Sequence, residues 1–191
     1  MTEGTRQRGT KLRRMMLPHE LTMRLASADD APALAALGRR TFADAFGADS
    51  TADDLATFLD STYTVALQGA ELADPVLTYL LIERSGTPIG FALLRANSVS
   101  PFIEDRSAIE LQRFYVDQSC HGTGVAQALM ASCVETARLA GAMTLFLGVW
   151  ERNPRALRFY AAQQFTEVGR KIFQVGKEPQ QDLVLARRIV P

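Results

Sequence analysis

Apolar and polar residues follow two different periods along this chain, and the changes of period divide it into elements. From Leu21 to Ser27 the two kinds alternate, which predicts a half-buried strand. Apolar residues then recur at helical spacing, and this predicts a helix that ends before Gly47. A second helical segment is predicted from a cap at Thr51, and we expect it to continue, bent, to about Ala73.

The middle of the chain changes to strands. Two apolar segments separated by the turn Ser85 to Pro88 predict an antiparallel hairpin, and Ala108 to Val116 predicts a third strand. Helical spacing returns from Gly124 to Leu139, and the nearly continuous apolar run 143–150 predicts a strand buried on both faces. A short helix capped by Asn153 and a final hairpin complete the pattern.

This order of elements predicts an α/β (α+β) fold. It is typical of a single domain with one central, mostly antiparallel mixed sheet of about seven strands, flanked by about four helices. No repeat or linker interrupts the pattern, so we expect residues 21–191 to form this domain. Residues 1–20 are rich in Arg and Lys and poor in apolar residues, which predicts a flexible basic arm. The alternative interpretation is an arm that binds RNA or another partner.

Composition excludes several classes of function. Lys plus Arg and Asp plus Glu both total 21, so no overall charge favours nucleic acid or an anionic membrane. The sequence contains no run of about 18 apolar residues, which a membrane span would require. Cys120 and Cys133 form no CxxC pair, and we expect reduced thiols in a cytoplasmic protein. With His19 and His121 as the only histidines, neither a zinc site nor a histidine-based triad is expected.

The stretch CHGTGVAQALM, residues 120–130, joins the third strand of this group to a helix through two glycines. Such a turn presents unpaired N–H groups at the positive end of a helix dipole, which favours a phosphate. A Rossmann fingerprint is excluded because Gln127 replaces its third glycine and hairpins precede it. A P-loop is excluded because its lysine is missing. A turn that only joins strand to helix stays open for this stretch alone.

Two motifs together resemble the GNAT N-acetyltransferases. The segment HGTGVA, residues 121–126, resembles the loop of that family that holds the pyrophosphate of acetyl-CoA, with His121 where Gln or Arg is usual. LGVWERNPRALRFYAAQQF, residues 147–165, resembles the second signature, in which an Asn begins a helix that carries Phe-Tyr. The element order agrees over about residues 22–190. The tail and ELQRFYV are most similar to a bacterial branch that includes spermine/spermidine acetyltransferases.

The resemblance implies acetyl-CoA as the acetyl donor and a sheet that splays where it binds. The N–H of Val116 is expected to hold the acetyl oxygen, and the side chain of Asn153 is expected to contact the pantetheine arm. The residues implied to contact acetyl-CoA are Tyr115, Val116, Asp117, His121, Gly122, Thr123, Gly124, Val125, Ala126 and Asn153.

Two residues are the candidate catalytic groups. An alkylamine with a pKa of about 10 must lose a proton before it attacks, and Glu110 stands at the register of the family's glutamate base, expected to act through water. Gln112 is expected on the same face of the strand. Tyr160 matches the family's tyrosine acid for the leaving thiolate. The alternatives are a salt-bridged structural glutamate and a core tyrosine.

The sequence therefore predicts an N-acetyltransferase that acts on a primary amine of a small molecule, with a polyamine as one candidate, by direct attack in a ternary complex. Acetylation of protein amino termini or lysines is the alternative among enzymes, and an acyl-CoA-binding sensor without turnover is the alternative among binding proteins. No partner besides the amine is expected, although a homodimer is compatible with the sequence. The acceptor groove is expected beside the first two helices, where the acids are Asp44, Asp49, Asp53 and Asp54.

Overall fold

The computed structural model describes residues 21–47, 50–175 and 178–189, which form a seven-stranded mixed sheet covered on both faces. The strands are β1 (Leu21–Leu25), β2 (Leu77–Arg84), β3 (Thr87–Arg95), β4 (Ile109–Val116), β5 (Thr144–Trp150), β6 (Thr166–Val175) and β7 (Glu178–Arg188). The helices are α1 (Ala31–Phe46), α2 (Ala52–Thr62), α3 (Val65–Ala73), α4 (Val125–Leu139) and α5 (Pro154–Ala162). The predicted basic arm, residues 1–20, lies outside the described residues.

The strands lie in the order β1-β2-β3-β4-β5-β7-β6. All neighbours are antiparallel except β4 and β5, which are parallel. The predicted fold class, an α/β (α+β) domain with a mostly antiparallel mixed sheet, is therefore confirmed. The final hairpin inserts β7 between β5 and β6, so the last strand of the chain is not at the edge of the sheet.

The second helical segment differs from the expectation of one bent helix. Tyr63 leaves the helical conformation, with φ −119° and ψ 61°, and Thr64 caps a new helix by accepting a hydrogen bond from the N–H of Leu67. Tyr63 is buried, and its ring packs where a side chain at Gly38 of α1 would otherwise lie. The described residues thus contain five α-helices rather than about four, because burial of Tyr63 and a local cap divide the segment.

Each face of the sheet has its own hydrophobic core. The face under α4 and α5 buries Leu80, Leu129 and Leu145, and the face under α1 to α3 buries Leu34 and Phe91, among others. Each fully buried side chain of this size contributes roughly 1.5–3 kcal/mol. Both cysteines are buried and unpaired. Of the helices in the described part of the chain, none combines the length and the apolar character that crossing a membrane requires.

Candidate functional site

A cleft opens in the middle of the sheet, where β4 and β5 separate. The two strands pair only at Ile109 with Leu145 and at Glu110 with Phe146. Beyond this point β4 carries a bulge: Leu93 and Leu94 of β3 face Arg113 and Leu111, so that Gln112 has no partner. A bulge bends its strand and increases the local twist, which separates β4 from β5. The resulting cleft has a volume of about 620 Å³ and is lined by residues of both strands and of α1, α2, α4 and α5.

The end of β4 presents backbone groups to this cleft. The N–H of Asp117 donates to the carbonyl of Ile89 at 2.8 Å. Because antiparallel neighbours alternate, the N–H and carbonyl of Val116 must point away from β3, to the side that β5 has left. The Val116 carbonyl indeed accepts a hydrogen bond from His121 Nε2 at 3.2 Å on that side. The N–H of Val116 therefore lies on the unpaired edge of β4, where it is free for its predicted role.

The glycine turn forms a concave surface of N–H groups before α4. Gly122 and Gly124 have φ of 76° and 87°, a region that only glycine enters readily, and a side chain at either position would meet nothing within 4 Å. Within the turn, the N–H groups of His121 and Thr123 donate to the carbonyls of Gln118 and Cys120. Among the described residues, no partner exists for four N–H groups, those of Gly122, Gly124, Val125 and Ala126.

His121 and Arg155 place polar side chains beside this turn. Arg155 Nη1 donates to His121 Nδ1 at 3.0 Å, and a guanidinium group can only donate. Nδ1 is therefore unprotonated, and the ring proton on Nε2 is donated to the Val116 carbonyl. Both residues line the cleft. Arg155 comes from α5, so it adds a positive charge to the glycine turn that the sequence reasoning did not anticipate.

The other predicted cofactor residues use their side chains within the protein. The Asp117 carboxylate accepts hydrogen bonds from Ser119 and, with a smaller effect, from Arg40 of α1, which hold its pKa below the ordinary value despite partial burial. Thr123 Oγ1 donates to the Cys120 carbonyl at 2.6 Å. Asn153 Oδ1 caps α5 by accepting from the N–H of Ala156, as predicted. These side chains shape the turn and the helix start beside the cleft.

Glu110 lies at the point where the two strands separate, and its side chain is 16% exposed. Ser98 Oγ donates to Glu110 Oε2 at 2.7 Å, and Gln112 Nε2 approaches the same oxygen at 3.4 Å. The ammonium group of Lys171 lies 3.7 Å from Oε1. Gln112 is thus on the same side as Glu110, as expected, despite the bulge. Glu110 also has an ion-pair partner, so the structure contains features of both its proposed roles.

Tyr160 lines the same cleft from α5. It is 8% exposed, and its ring packs against Phe114, Phe159 and Phe165. Burial raises its pKa, with smaller contributions from Tyr115 and Cys133. Within the described residues its hydroxyl makes no hydrogen bond, and the group remains protonated at neutral pH. It is therefore available as a proton donor.

Aromatic side chains of α1, α2 and β5 form one wall of the cleft. Phe42 stacks on Phe58 with ring centroids 4.2 Å apart, and the ring of Phe46 lies 6.3 Å from that of Trp150. Because Phe46 ends α1 and Trp150 ends β5, this contact connects a helix to the strand across the cleft. The sequence had left Trp150 open between core and pocket; it lines the pocket.

For the acids near the first two helices the sequence favours solvated surface, and the structure brings one of them to the cleft. Asp44 lines the cleft, whereas Asp54 bonds to Thr51 and Asp49 lies outside the described residues. Lys171 and Asp182, which sequence reasoning missed, also line it. No local signal marks these two, because they reach the cleft only through the insertion of β7 between β5 and β6.

Comparisons with known proteins agree with this geometry. Residues 41–165 match the family described as Acetyltransferase (GNAT) family. An uncharacterized N-acetyltransferase from Lactobacillus delbrueckii subsp. lactis is 31% identical over 164 residues, which are 86% of this chain and 95% of that protein. An uncharacterized N-acetyltransferase from Mycobacterium tuberculosis is 35% identical over 161 residues, 84% of this chain and 99% of the relative.

A solved structure shares the fold. The crystal structure of the paiA N-acetyltransferase from Thermoplasma acidophilum, in complex with coenzyme A, superposes with a TM-score of 0.72. The two chains are 15% identical, and the superposition covers 88% of this chain and 98% of the other. At this identity the likeness concerns the fold alone.

Proposed function

Because the chain belongs to the GNAT family of acetyltransferases and is an acyltransferase that uses acetyl-CoA, we propose that its acceptor is a primary amine of a small molecule. The observation that supports a small acceptor is the contact between Phe46 and Trp150, which bridges α1 and β5 in the part of the cleft beside α1, where the acceptor is expected. A peptide acceptor would need a groove that stays open there. The amine attacks directly in a ternary complex of enzyme, acetyl-CoA and acceptor.

The residues around the glycine turn fit the pyrophosphate of acetyl-CoA. The unpartnered N–H groups of Gly122, Gly124, Val125 and Ala126 lie at the positive end of α4, where anions are favoured. The surface above both glycines is open, and Arg155 adds a positive charge beside it. We propose that these groups bind the pyrophosphate and that Asn153 contacts the pantetheine arm.

The chemistry of transfer requires a base, an acid and a group that holds the carbonyl. Bound acetyl-CoA supplies an activated thioester carbonyl. We assign the acetyl oxygen to the N–H of Val116, since a fixed donor at the open edge of β4 stabilises the charge that develops there. A C–N bond forms as the C–S bond breaks. The ammonium loses two protons in all, one before attack and one after it, and the sulfur gains one, so that one proton is released to solvent.

In our proposal Glu110 takes the proton that the ammonium loses before attack, Tyr160 gives the proton that the sulfur gains, and the proton lost by the nitrogen after attack restores the tyrosine hydroxyl. Glu110 accepts the proton of the ammonium through a water molecule, because its carboxylate lies where β4 and β5 part. Tyr160 donates to the sulfur, and its raised pKa keeps the hydroxyl protonated until the thiolate leaves. An acyl-CoA sensor without turnover would need neither Glu110 nor Tyr160 in the cleft beside the open edge of β4. The presence of both groups there favours an enzyme over a sensor.

The narrower candidate within this class is a polyamine, suggested by the resemblance of the tail to the spermine/spermidine branch. We test it with thiol release from acetyl-CoA, comparing alkylamines, polyamines, amino acids and peptides at equal concentration. Turnover confined to small amines supports the proposal. Preference for peptides would favour the protein acetyltransferase, and tight acetyl-CoA binding without any turnover would favour the sensor.

A further inference from the structure

A cluster of charged residues from β4, β6 and β7 lines the cleft and lies beside a glycine of β5. Glu110 of β4, Gly148 of β5, Asp182 of β7 and Lys171 of β6 all line the cleft. Lys171 starts on the edge strand and crosses β7 and β5 to bring its ammonium within 3.7 Å of Glu110 Oε1. It does so over Gly148: a Cβ there would lie 2.8 Å from Lys171 Cε and 3.2 Å from Asp182 Oδ2.

The cluster contains more negative than positive charge. Asp182 is 8% exposed, its burial raises its pKa, and the charge of Lys171 partly offsets this effect. Glu110 is the second carboxylate, and Lys171 forms an ion pair with it while its charge also acts on Asp182. Buried carboxylates without a cation are costly, which explains why a lysine reaches across two strands to this position.

The lysine is nevertheless held loosely. Its side chain is 41% exposed, and the 3.7 Å separation from Glu110 is longer than a charged hydrogen bond. An exposed ion pair of this kind contributes little free energy to holding the lysine in place. The side chain of Lys171 is itself a primary ammonium on a four-carbon chain, and it lies beside Glu110, the carboxylate to which we assign the role of base.

We propose that Lys171 determines acceptor specificity by occupying the subsite in which the primary ammonium of an alkylamine acceptor binds. The acceptor ammonium replaces that of Lys171 between Glu110 and Asp182, and Lys171 moves toward solvent. The class favoured is an alkylamine without a carboxylate next to the amine, because such a carboxylate would be repelled by the cluster. This inference rests on the proposed function for the identity of the site.

The test compares Lys171→Met with Arg170→Met in amine-free buffer, at saturating acetyl-CoA, with n-butylamine as acceptor. Arg170 neighbours Lys171 but pairs with Glu167 and Glu151, neither of which lines the cleft, so its variant controls for loss of one charge from β6. While the ammonium group of Lys171 occupies the subsite, the acceptor cannot bind there. The apparent affinity for the acceptor is therefore the intrinsic affinity multiplied by the fraction of time that the subsite is free. We therefore expect Lys171→Met to lower KM for n-butylamine by about fivefold or more, with kcat within about threefold, and Arg170→Met to change neither. Asp182→Asn should raise KM.

The outcomes separate this inference from the proposed function. If the parent enzyme acetylates alkylamines but Lys171→Met leaves KM unchanged or raises it, the inference is overturned and the function stands. If no amine is turned over, the proposed function fails. The inference about Lys171 is then tested by an NMR titration that measures binding of n-butylamine to the protein–coenzyme A complex. Tighter binding in Lys171→Met then supports the subsite, and equal or weaker binding overturns it. Thermal unfolding checks that each variant is folded, and Lys171→Gln replaces Lys171→Met if that variant is not.

Discussion

Replacing Tyr160 with Phe tests the assignment of the acid most directly. The substitution removes the hydroxyl and keeps the ring, so the packing against Phe114, Phe159 and Phe165 is retained. Within the described residues the hydroxyl has no hydrogen-bond partner that would be left unpaired. We therefore expect the free energy of unfolding to change by less than about 0.5 kcal/mol.

The effect on catalysis should be much larger. A positioned acid contributes about 10²-fold to 10⁴-fold to rate, and a hundredfold loss of kcat corresponds to about 2.7 kcal/mol of transition-state stabilisation. The Kd for acetyl-CoA should change by less than about twofold, because the proposed contacts of the cofactor are made elsewhere. The assay is steady-state thiol release for kcat, with calorimetry for acetyl-CoA binding.

Tyr79→Phe is the matched control. Tyr79 is buried on the other side of the sheet and bonds to Gln68, Glu71 and Arg113, so its loss should destabilise the protein by about 1–3 kcal/mol while kcat stays within about twofold. The two variants should thus show opposite patterns. An unchanged kcat in Tyr160→Phe would remove Tyr160 from the role of acid.

The pH dependence gives a second check on the same residue. The acid must be protonated, so kcat is lost as pH rises through the pKa of Tyr160 in the complex. Because burial raises this pKa, we expect no alkaline loss of kcat up to about pH 10, where an exposed tyrosine would already ionise. A decline of kcat well below that pH that is absent in Tyr160→Phe would contradict the raised pKa.

Further predictions address the base, the turn and the fold. Glu110→Gln should lower kcat/KM for the amine by about 10²-fold with unchanged acetyl-CoA affinity; equal activity would leave Glu110 a structural ion-pair partner. Gly124→Ala and Gly86→Ala, both at positive φ in open space, should each lose about 1–2 kcal/mol of stability, but only the former should weaken acetyl-CoA binding by calorimetry. Hydrogen bonds from Arg24 lower the pKa of Asp30 from 3.8 to about 2. The stability that ionised Asp30 contributes is therefore fully present above about pH 4 and is lost as the pH falls through 2. Asp30→Asn should remove about 1–2 kcal/mol at pH 7, and equal denaturant midpoints there would refute it.

Local chemistry explains which elements could be predicted from the chain. Thr51 and Asn153 cap their helices as expected, because a cap involves residues only three positions apart. Gly122 and Gly124 adopt the positive φ that a glycine turn before a helix requires. The division of the second helical segment at Tyr63 was not predictable, since it depends on packing against Gly38 of another helix.

The candidate site divides in the same way. Glu110, Tyr160 and the glycine turn stand in segments whose letters resemble a known family, and all three line one cleft. Each also has an alternative interpretation that periodicity alone could not resolve. Arg155 shows the limit: it lies beside the expected cap Asn153, but its contact with His121 comes from the approach of α5 to the turn.

Apart from the division at Tyr63, the sequence by itself determined the order of elements, together with the glycine turn and the identity of the two candidate catalytic groups, because each depends on residues close together in the chain. Only the tertiary structure decided where the sheet opens, through the bulge at Gln112 and the brief pairing of β4 with β5. It also decided that Lys171 and Asp182 meet Glu110, since β7 inserts between β5 and β6. Such pairing joins strands far apart in sequence, and its free energy comes from burial and long-range hydrogen bonds that no local pattern records.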